Sequence, residues 1–266
     1  MSRYPAPPGD LPPQTQLLTG RARFTEAYAV IPRGVQSAIV TSFLPGWRGM
    51  RMWWLARPLS GFAETFAWGI VELEPGGGSD RPETEPEAQA ALFVTEGRLD
   101  VTVDGATMQA DPGSQVYVPA GAEWSVRAKD GARFHWIRKR WVDGGVGRPA
   151  AFATHEDEGE PIPMEGAPGW TTRRWVDPGD LRHDMHLNLV AFEPGSTIPF
   201  LETHVMEHGI YVLEGKAAYA LNDDWVEVEA GDFLWLRAFC PQACYAGGPG
   251  PFRYLLYKDV NRLPRL

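Results

Sequence analysis

A chain of 266 residues that is 44% hydrophobic can bury one large core or two β-rich cores of about 100–130 residues each. Its 29 glycines and 24 prolines exclude a largely helical protein, because proline interrupts helix interiors and central strands, and they favour short strands and many turns. A formal charge of −9 with no cluster of Lys and Arg excludes a nucleic-acid groove or an anionic membrane surface, which leaves a small-molecule partner.

Residues 1–50 read as an N-terminal extension with leading strands. Residues 1–13 hold five prolines and no apolar core of signal-peptide length. No later run approaches the roughly 18 apolar residues of a membrane span, so a cytoplasmic protein is expected. Residues 51–142 make a first β unit, in which Leu99-Asp100-Val101-Thr102-Val103-Asp104-Gly105 alternates apolar and polar residues into a turn. Residues 143–180 read as a connection, rich in Gly, Pro and acid and without apolar period; the acidic run from Glu156 to Glu160 is taken as solvated. Residues 181–266 make a second β unit, whose alternating stretch runs from Ala217 to Asp223.

The two units repeat one another. Glu96-Gly97 returns as Glu214-Gly215 and Gly113 as Gly231, both 118 residues later, and Glu74-Pro75-Gly76 returns as Glu193-Pro194-Gly195 after 119. Each unit is therefore expected to be one antiparallel barrel or sandwich.

Within the second unit the spacing Gly195-x6-Glu202-x-His204-x3-His208-x6-Gly215, then Gly231-x10-Gln242, resembles the two motifs of the cupin superfamily. That resemblance implies an all-β fold of two tandem cupin barrels (double-stranded β-helix, jelly-roll) and a metal held by Glu202, His204, His208 and Gln242. The family's usual order is His-x-His, Glu and a distant His, so two of the four positions differ in type. Carboxylate, imidazole and amide oxygen all suit a divalent cation. Glu202 and His204, two apart, are expected on one face of a strand, with His208 and Gln242 on neighbouring strands. With one carboxylate the centre keeps a net positive charge that attracts an anionic substrate. An offset of 118 puts Thr84, Pro86, Ala90 and Trp124 at the same places in the first unit. None of these is a ligand, so one metal per chain is expected.

A wider set of residues is similar to the (S)-ureidoglycine aminohydrolase family: Glu-x-His-x3-His-Gly, Asn222-Asp223-Asp224-Trp225, Gly231-Asp232, Pro241-Gln242 and the ending from Tyr254 through Lys258 to Asn261-Arg262. The resemblance implies Mn2+ as cofactor, with other divalent metals compatible with mixed nitrogen and oxygen donors. It implies release of ammonia from (S)-ureidoglycine to give (S)-ureidoglycolate, in a homo-oligomer. It also implies a pocket lined by Tyr219, Tyr254 and Lys258. Lys258 is expected to take the substrate carboxylate or to handle protons, the tyrosines to hydrogen bond, and Glu202 to double as proton acceptor. The rivals are another cupin metalloenzyme, an oxygenase or decarboxylase whose usual three-His-one-Glu set is absent here, and a non-catalytic ligand-binding cupin.

Outside the motif, His186 and Asn188 alternate on a strand and face either the pocket or the surroundings. His135, His155 and His183 have no partner pattern. Cys240 and Cys244 share the parity of Gln242 but read by default as small buried hydrophobes. The eleven tryptophans, Trp53 and Trp54 among them, read as core and interface packing.

Overall fold

The alternating stretches of the two units close into hairpins of one build. Leu99–Val103 pairs with Ala106–Ala110 across Asp104-Gly105, and Lys216–Leu221 pairs with Asp224–Glu229 across Asn222-Asp223. Asp104 and Asn222 carry φ of +47° and +53°, the left-handed start that a tight two-residue hairpin turn requires. The repeated glycines have an equally local reason. Gly97 and Gly215 sit at φ +71° and +80°, and a Cβ on either would lie 2.1 Å from a backbone carbonyl oxygen, that of Gly131 or Pro251.

The computed structural model describes residues 3–7, 21–36 and 43–259. Asn261 and Arg262 of the C-terminal motif and residues 8–20 and 37–42 of the extension lie outside the described residues. The described strands form a nine-stranded, an eight-stranded and a three-stranded sheet. In the nine-stranded sheet the order Trp47–Ala56, Phe66–Ser79, Ala132–Arg140, Ala88–Gly97, Ser114–Val118, Phe152–His155 runs outward to an edge. The eight-stranded sheet repeats it as Trp170–Arg174, Met185–Phe192, Phe252–Asp259, His208–Glu214, Phe233–Leu236 and then Tyr28–Ile31. The edge place filled in the first barrel by its own following strand is thus filled in the second by a strand of the N-terminal extension. The result is all-β, with two tandem jelly-roll barrels. Among the described residues no helix is long and apolar enough to cross a membrane.

Three apolar cores follow from strand parity. One fills the first barrel around Met52, Leu92, Val101, Phe134 and Trp136, and one fills the second around Val190, Ile210, Tyr219 and Tyr254. The third lies between them, where Phe66, Trp68, Phe93, Tyr211, Phe233 and Tyr257 from both units meet. Trp53, Trp68, Trp136 and Trp235 are buried and Trp225 is exposed.

Two expectations for residues 143–180 need correction. The stretch is more than a connection, since Phe152–His155 pairs onto the first barrel and Ile162–Pro163 and Trp170–Arg174 pair onto the second. Strands of four, two and five residues are too short to show a period among Gly and Pro. The acidic run is not solvated throughout either. Glu156 is buried and accepts from Tyr4 Oη at 2.6 Å, with Arg3 at 2.7 Å and Arg253 on its other oxygen.

Candidate metal and substrate site in the second barrel

A row of side chains crosses one end of the second barrel. His208 opens the strand His208–Glu214 and stands opposite Leu236 on one side and Lys258 on the other, and Lys258 stands opposite His186. Registered neighbours project from the same face of a sheet. That face is the barrel interior, because Ile210, Leu256 and Val190 of the same parity pack in the second core, whereas Leu187, Leu255 and Tyr257 face the first barrel.

Gln242 and Glu202 approach from the other wall. Gln242 begins Gln242–Tyr245 in the three-stranded sheet, opposite Leu221, and its backbone bridges Glu202 through two hydrogen bonds of 2.9 Å. Two expectations are corrected here. Glu202 lies at an isolated bridge and His204 in the loop beyond it, so the two do not share a strand face. His208 and Gln242 come from two different sheets rather than from neighbouring strands. The side chains still converge: His204 Nε2 is 3.5 Å from Glu202 Oε2, the His204 and His208 rings are 5.1 Å apart, and the Gln242 amide lies 3.1 Å from His208 Nδ1.

His208 is buried, and burial, helped by the charges of His204 and Lys258, lowers its imidazole to about 3. The ring is neutral at working pH, and its buried Nε2 has no hydrogen-bond partner. A neutral imidazole with one free ring nitrogen is what a metal ligand needs. Among the described residues no group of three or more His, Cys, Asp or Glu is gathered closely enough to hold a metal ion. Glu202, His204, His208 and Gln242 touch in pairs, with Gln242 as the fourth donor. In kind this nitrogen and oxygen set fits a divalent cation.

Beyond the four lies the rest of the expected pocket. Tyr219 Oη donates to Tyr254 Oη at 3.3 Å, and burial pushes both phenols well above 10, so both remain protonated donors. Lys258 is lowered from its ordinary value by burial and by Arg174, with Glu202 and Asp259 opposing. Cys240 and Cys244 are free thiols packed in the core, and burial raises them to about 11 and about 12. A cavity of about 560 Å³ lined by Val205, Arg237, Phe239, Pro241 and Asp259 opens beside the four residues, none of which lines it.

The first barrel carries no ligands at the corresponding end, where Thr84, Pro86 and Trp124 line a cavity of about 390 Å³. Ala90 stands opposite Arg138 as His208 stands opposite Lys258, and Arg138 is paired with Glu83. Trp124 packs edge-on to Trp136 where the second barrel has Gln242. Thr84 and Pro86 are exposed.

Two residues that matter to the site carry no spacing signal. Glu207 precedes His208 and is buried against the first barrel, and Asp259 follows Lys258 and accepts the Glu207 backbone N–H at 2.6 Å.

The cupin-domain family model matches the chain twice, over residues 69–138 and 188–257, and the chain belongs to the cupin family as a bicupin. Within it, the chain is a member of the (S)-ureidoglycine aminohydrolase family. The Escherichia coli K12 protein of that name is 29% identical over 228 residues, covering 84% of this chain and 86% of the relative. The Arabidopsis thaliana protein of that name is 29% identical over 227 residues, covering 85% and 74%. Among solved structures, a Pseudomonas aeruginosa protein provisionally described as glyoxylate-induced is 61% identical with a TM-score of 0.92, covering 100% of this chain and 99% of that one.

Proposed function

We propose that the chain is a metal-dependent hydrolase that converts (S)-ureidoglycine and water to (S)-ureidoglycolate and ammonia, with Mn2+ as its metal. The observation that carries this reading is the row in which His208, neutral and with a free buried Nε2, stands beside the half-buried cation Lys258. It belongs to a chain whose relatives of that name match it over about 85% of its length.

Glu202, His204, His208 and Gln242 would hold the ion. A bound divalent cation supplies polarisation and orientation of substrate groups. The other groups act directly on the substrate. Lys258 lies in a desolvated wall, where its charge attracts the substrate carboxylate more strongly than it would in water. Tyr254 donates its hydroxyl proton to the substrate, while Tyr219 donates to Tyr254 and so orients it. Glu202, beside His204, takes a proton from the attacking water and returns it to the departing amine, which leaves as ammonia. Exposed Phe200, Leu201, Trp225 and Phe239 support a homo-oligomer.

Purified Mn-loaded protein incubated under nitrogen with freshly generated (S)-ureidoglycine is expected to release ammonia well above the spontaneous rate. No enhancement defeats the reading. Unchanged release by Glu202→Gln defeats the assigned role of Glu202 alone.

A further inference from the structure

The strand Met185–Phe192 directs His186, Asn188, Val190 and Phe192 into the second barrel, and its odd positions Met185, Leu187 and Leu189 into the inter-barrel core. Val190 and Phe192 behave as such positions usually do. His186 and Asn188 do not: they are 5% and 2% exposed, yet His186 Nε2 and Asn188 Oδ1 have no hydrogen-bond partner. Each buried unpaired polar atom costs about 1–3 kcal/mol, so a pair of them on one wall asks for a reason.

Packing is not that reason. Register aligns Lys258 opposite His186 with Arg138 opposite Ala67, and Leu256 opposite Asn188 with Trp136 opposite Gly69. The first barrel therefore builds the same wall with Ala67 and Gly69, and the space a Gly69 side chain would take is filled by Met52. The polar pair occurs in the barrel that also carries Glu202, His204, His208 and Gln242.

The pair is also correctly placed. His186 is one strand beyond Lys258, and Lys258 one strand beyond His208, so the wall extends about 10 Å from the histidine at the mouth. A ureido group begins one bond from the reacting carbon and ends three bonds away, about 4 Å by standard covalent dimensions. It carries a carbonyl acceptor and N–H donors. Asn188 Oδ1 can accept from its terminal NH2, and the neutral ring nitrogen of His186 can donate to its carbonyl. Burial first, then the neighbouring Lys258 charge, lowers His186 to about 4, which keeps the ring uncharged for that role.

We propose that His186 and Asn188 form a subsite that recognises the ureido group of the substrate, leaving Lys258 for the carboxylate. This rests on the reading of the chain as a ureidoglycine aminohydrolase.

Two probes that lack the reactive amine separate the subsite from the chemistry: N-carbamoylglycine, which has a terminal NH2, and N-acetylglycine, which has a methyl group there. Calorimetric titration into the Mn-loaded protein is expected to show N-carbamoylglycine bound on the order of 10-fold more tightly, the effect of one neutral hydrogen bond. His186→Phe and Asn188→Leu are expected to reduce that preference to about 2-fold or less with the bound Mn unchanged. Their Tm should be equal or higher, because each removes an unpaired buried atom. A merely structural pair would lower Tm and leave the preference intact, which overturns the proposal. Wild-type protein that turns over ureidoglycine but binds both probes alike overturns it without any variant, so a variant that fails to fold does not shield it. Wild-type protein that neither turns over ureidoglycine nor binds N-carbamoylglycine defeats the underlying reading instead.

Discussion

Glu207 of the second barrel holds Thr65 of the first: the Thr65 backbone N–H donates to Glu207 Oε2 at 2.8 Å and its hydroxyl donates to the same oxygen. The other carboxylate oxygen accepts the Glu64 N–H at 2.7 Å and the Trp235 indole N–H. The Glu207 backbone N–H is in turn tied to Asp259. The loop that carries His204 and delivers His208 is therefore fixed from both sides, and the first barrel, which has no ligand set of its own, supplies one of the anchors. Glu207→Ala leaves three N–H donors unpaired and should cost about 3 kcal/mol in urea unfolding. By loosening the residue before His208 it should also weaken metal binding roughly 10-fold or more. Thr65→Val removes one hydroxyl and should cost about 1 kcal/mol. Unchanged metal affinity in a folded Glu207→Ala protein would show that the clamp does not position the site.

Asp259 gives the same junction a pH dependence. Burial holds its carboxyl at about 6, against the Glu207 N–H and the Lys139 charge, while the Glu207 charge pushes with burial. A carboxyl raised on folding favours the protonated folded state. Its contribution is fully present below its ordinary value of 3.8 and is lost as pH rises through about 6. Asp259→Asn keeps an oxygen for the Glu207 N–H and cannot ionise. It should be more stable than the parent by roughly 1–2 kcal/mol at neutral pH, the difference closing as pH approaches 4. Urea unfolding at several pH values checks this, and a pH-independent difference would refute it.

The anchor of the N-terminal arm is equally specific. Glu156 is enclosed by Tyr4, Arg3 and Arg253, and Arg253 also reaches Glu214 at 3.3 Å. Glu156→Leu leaves the largely buried Arg253 guanidinium with Glu214 alone and should destabilise by about 3 kcal/mol. Arg253→Leu leaves the Glu156 carboxylate with Tyr4 and Arg3 and should cost less, about 2 kcal/mol. The double variant should be less destabilised than the sum of the two, since neither charge is left behind. Additive losses would mean that the pair is not coupled.

These residues show why the sequence reveals some features and hides others. The hairpins at 99–110 and 216–229 and the repeated glycines are legible because each depends on its own few residues: a period of two, a left-handed turn, a close carbonyl. The inward parity of His186, Asn188, Tyr254 and Lys258 is legible for the same reason. The strand expected at Glu202 and His204 fails because alternation holds only where backbone is continuously paired, and here a single bridge gives way to a loop pinned by Glu207. Glu207 itself could not be read, since the backbone groups it holds are more than 140 residues away in sequence. Likewise the burial of Glu156 depends on Tyr4 and Arg253, which no local pattern brings to it.

The four converging donors make a prediction that does not depend on activity. A cation that binds the folded state and not the unfolded one stabilises by about 2.7 kcal/mol when present at 100 times its dissociation constant. Chelator-treated protein should therefore gain Tm on titration with Mn2+, and the gain should saturate with one ion per chain, because Ala90 and Trp124 occupy the matching places in the first barrel. His208→Ala should abolish the gain, since it removes the one fully buried ring nitrogen without another partner among the four residues. Gln242→Ala should reduce it, because it removes both a donor and the group that contacts His208 Nδ1. The outer residue His204 is partly exposed, so His204→Ala should also reduce the gain, while leaving the metal-free Tm nearer the parent value than His208→Ala does. A Tm that Mn2+ does not move, or one that it raises equally in His208→Ala, would mean that these residues do not hold the ion.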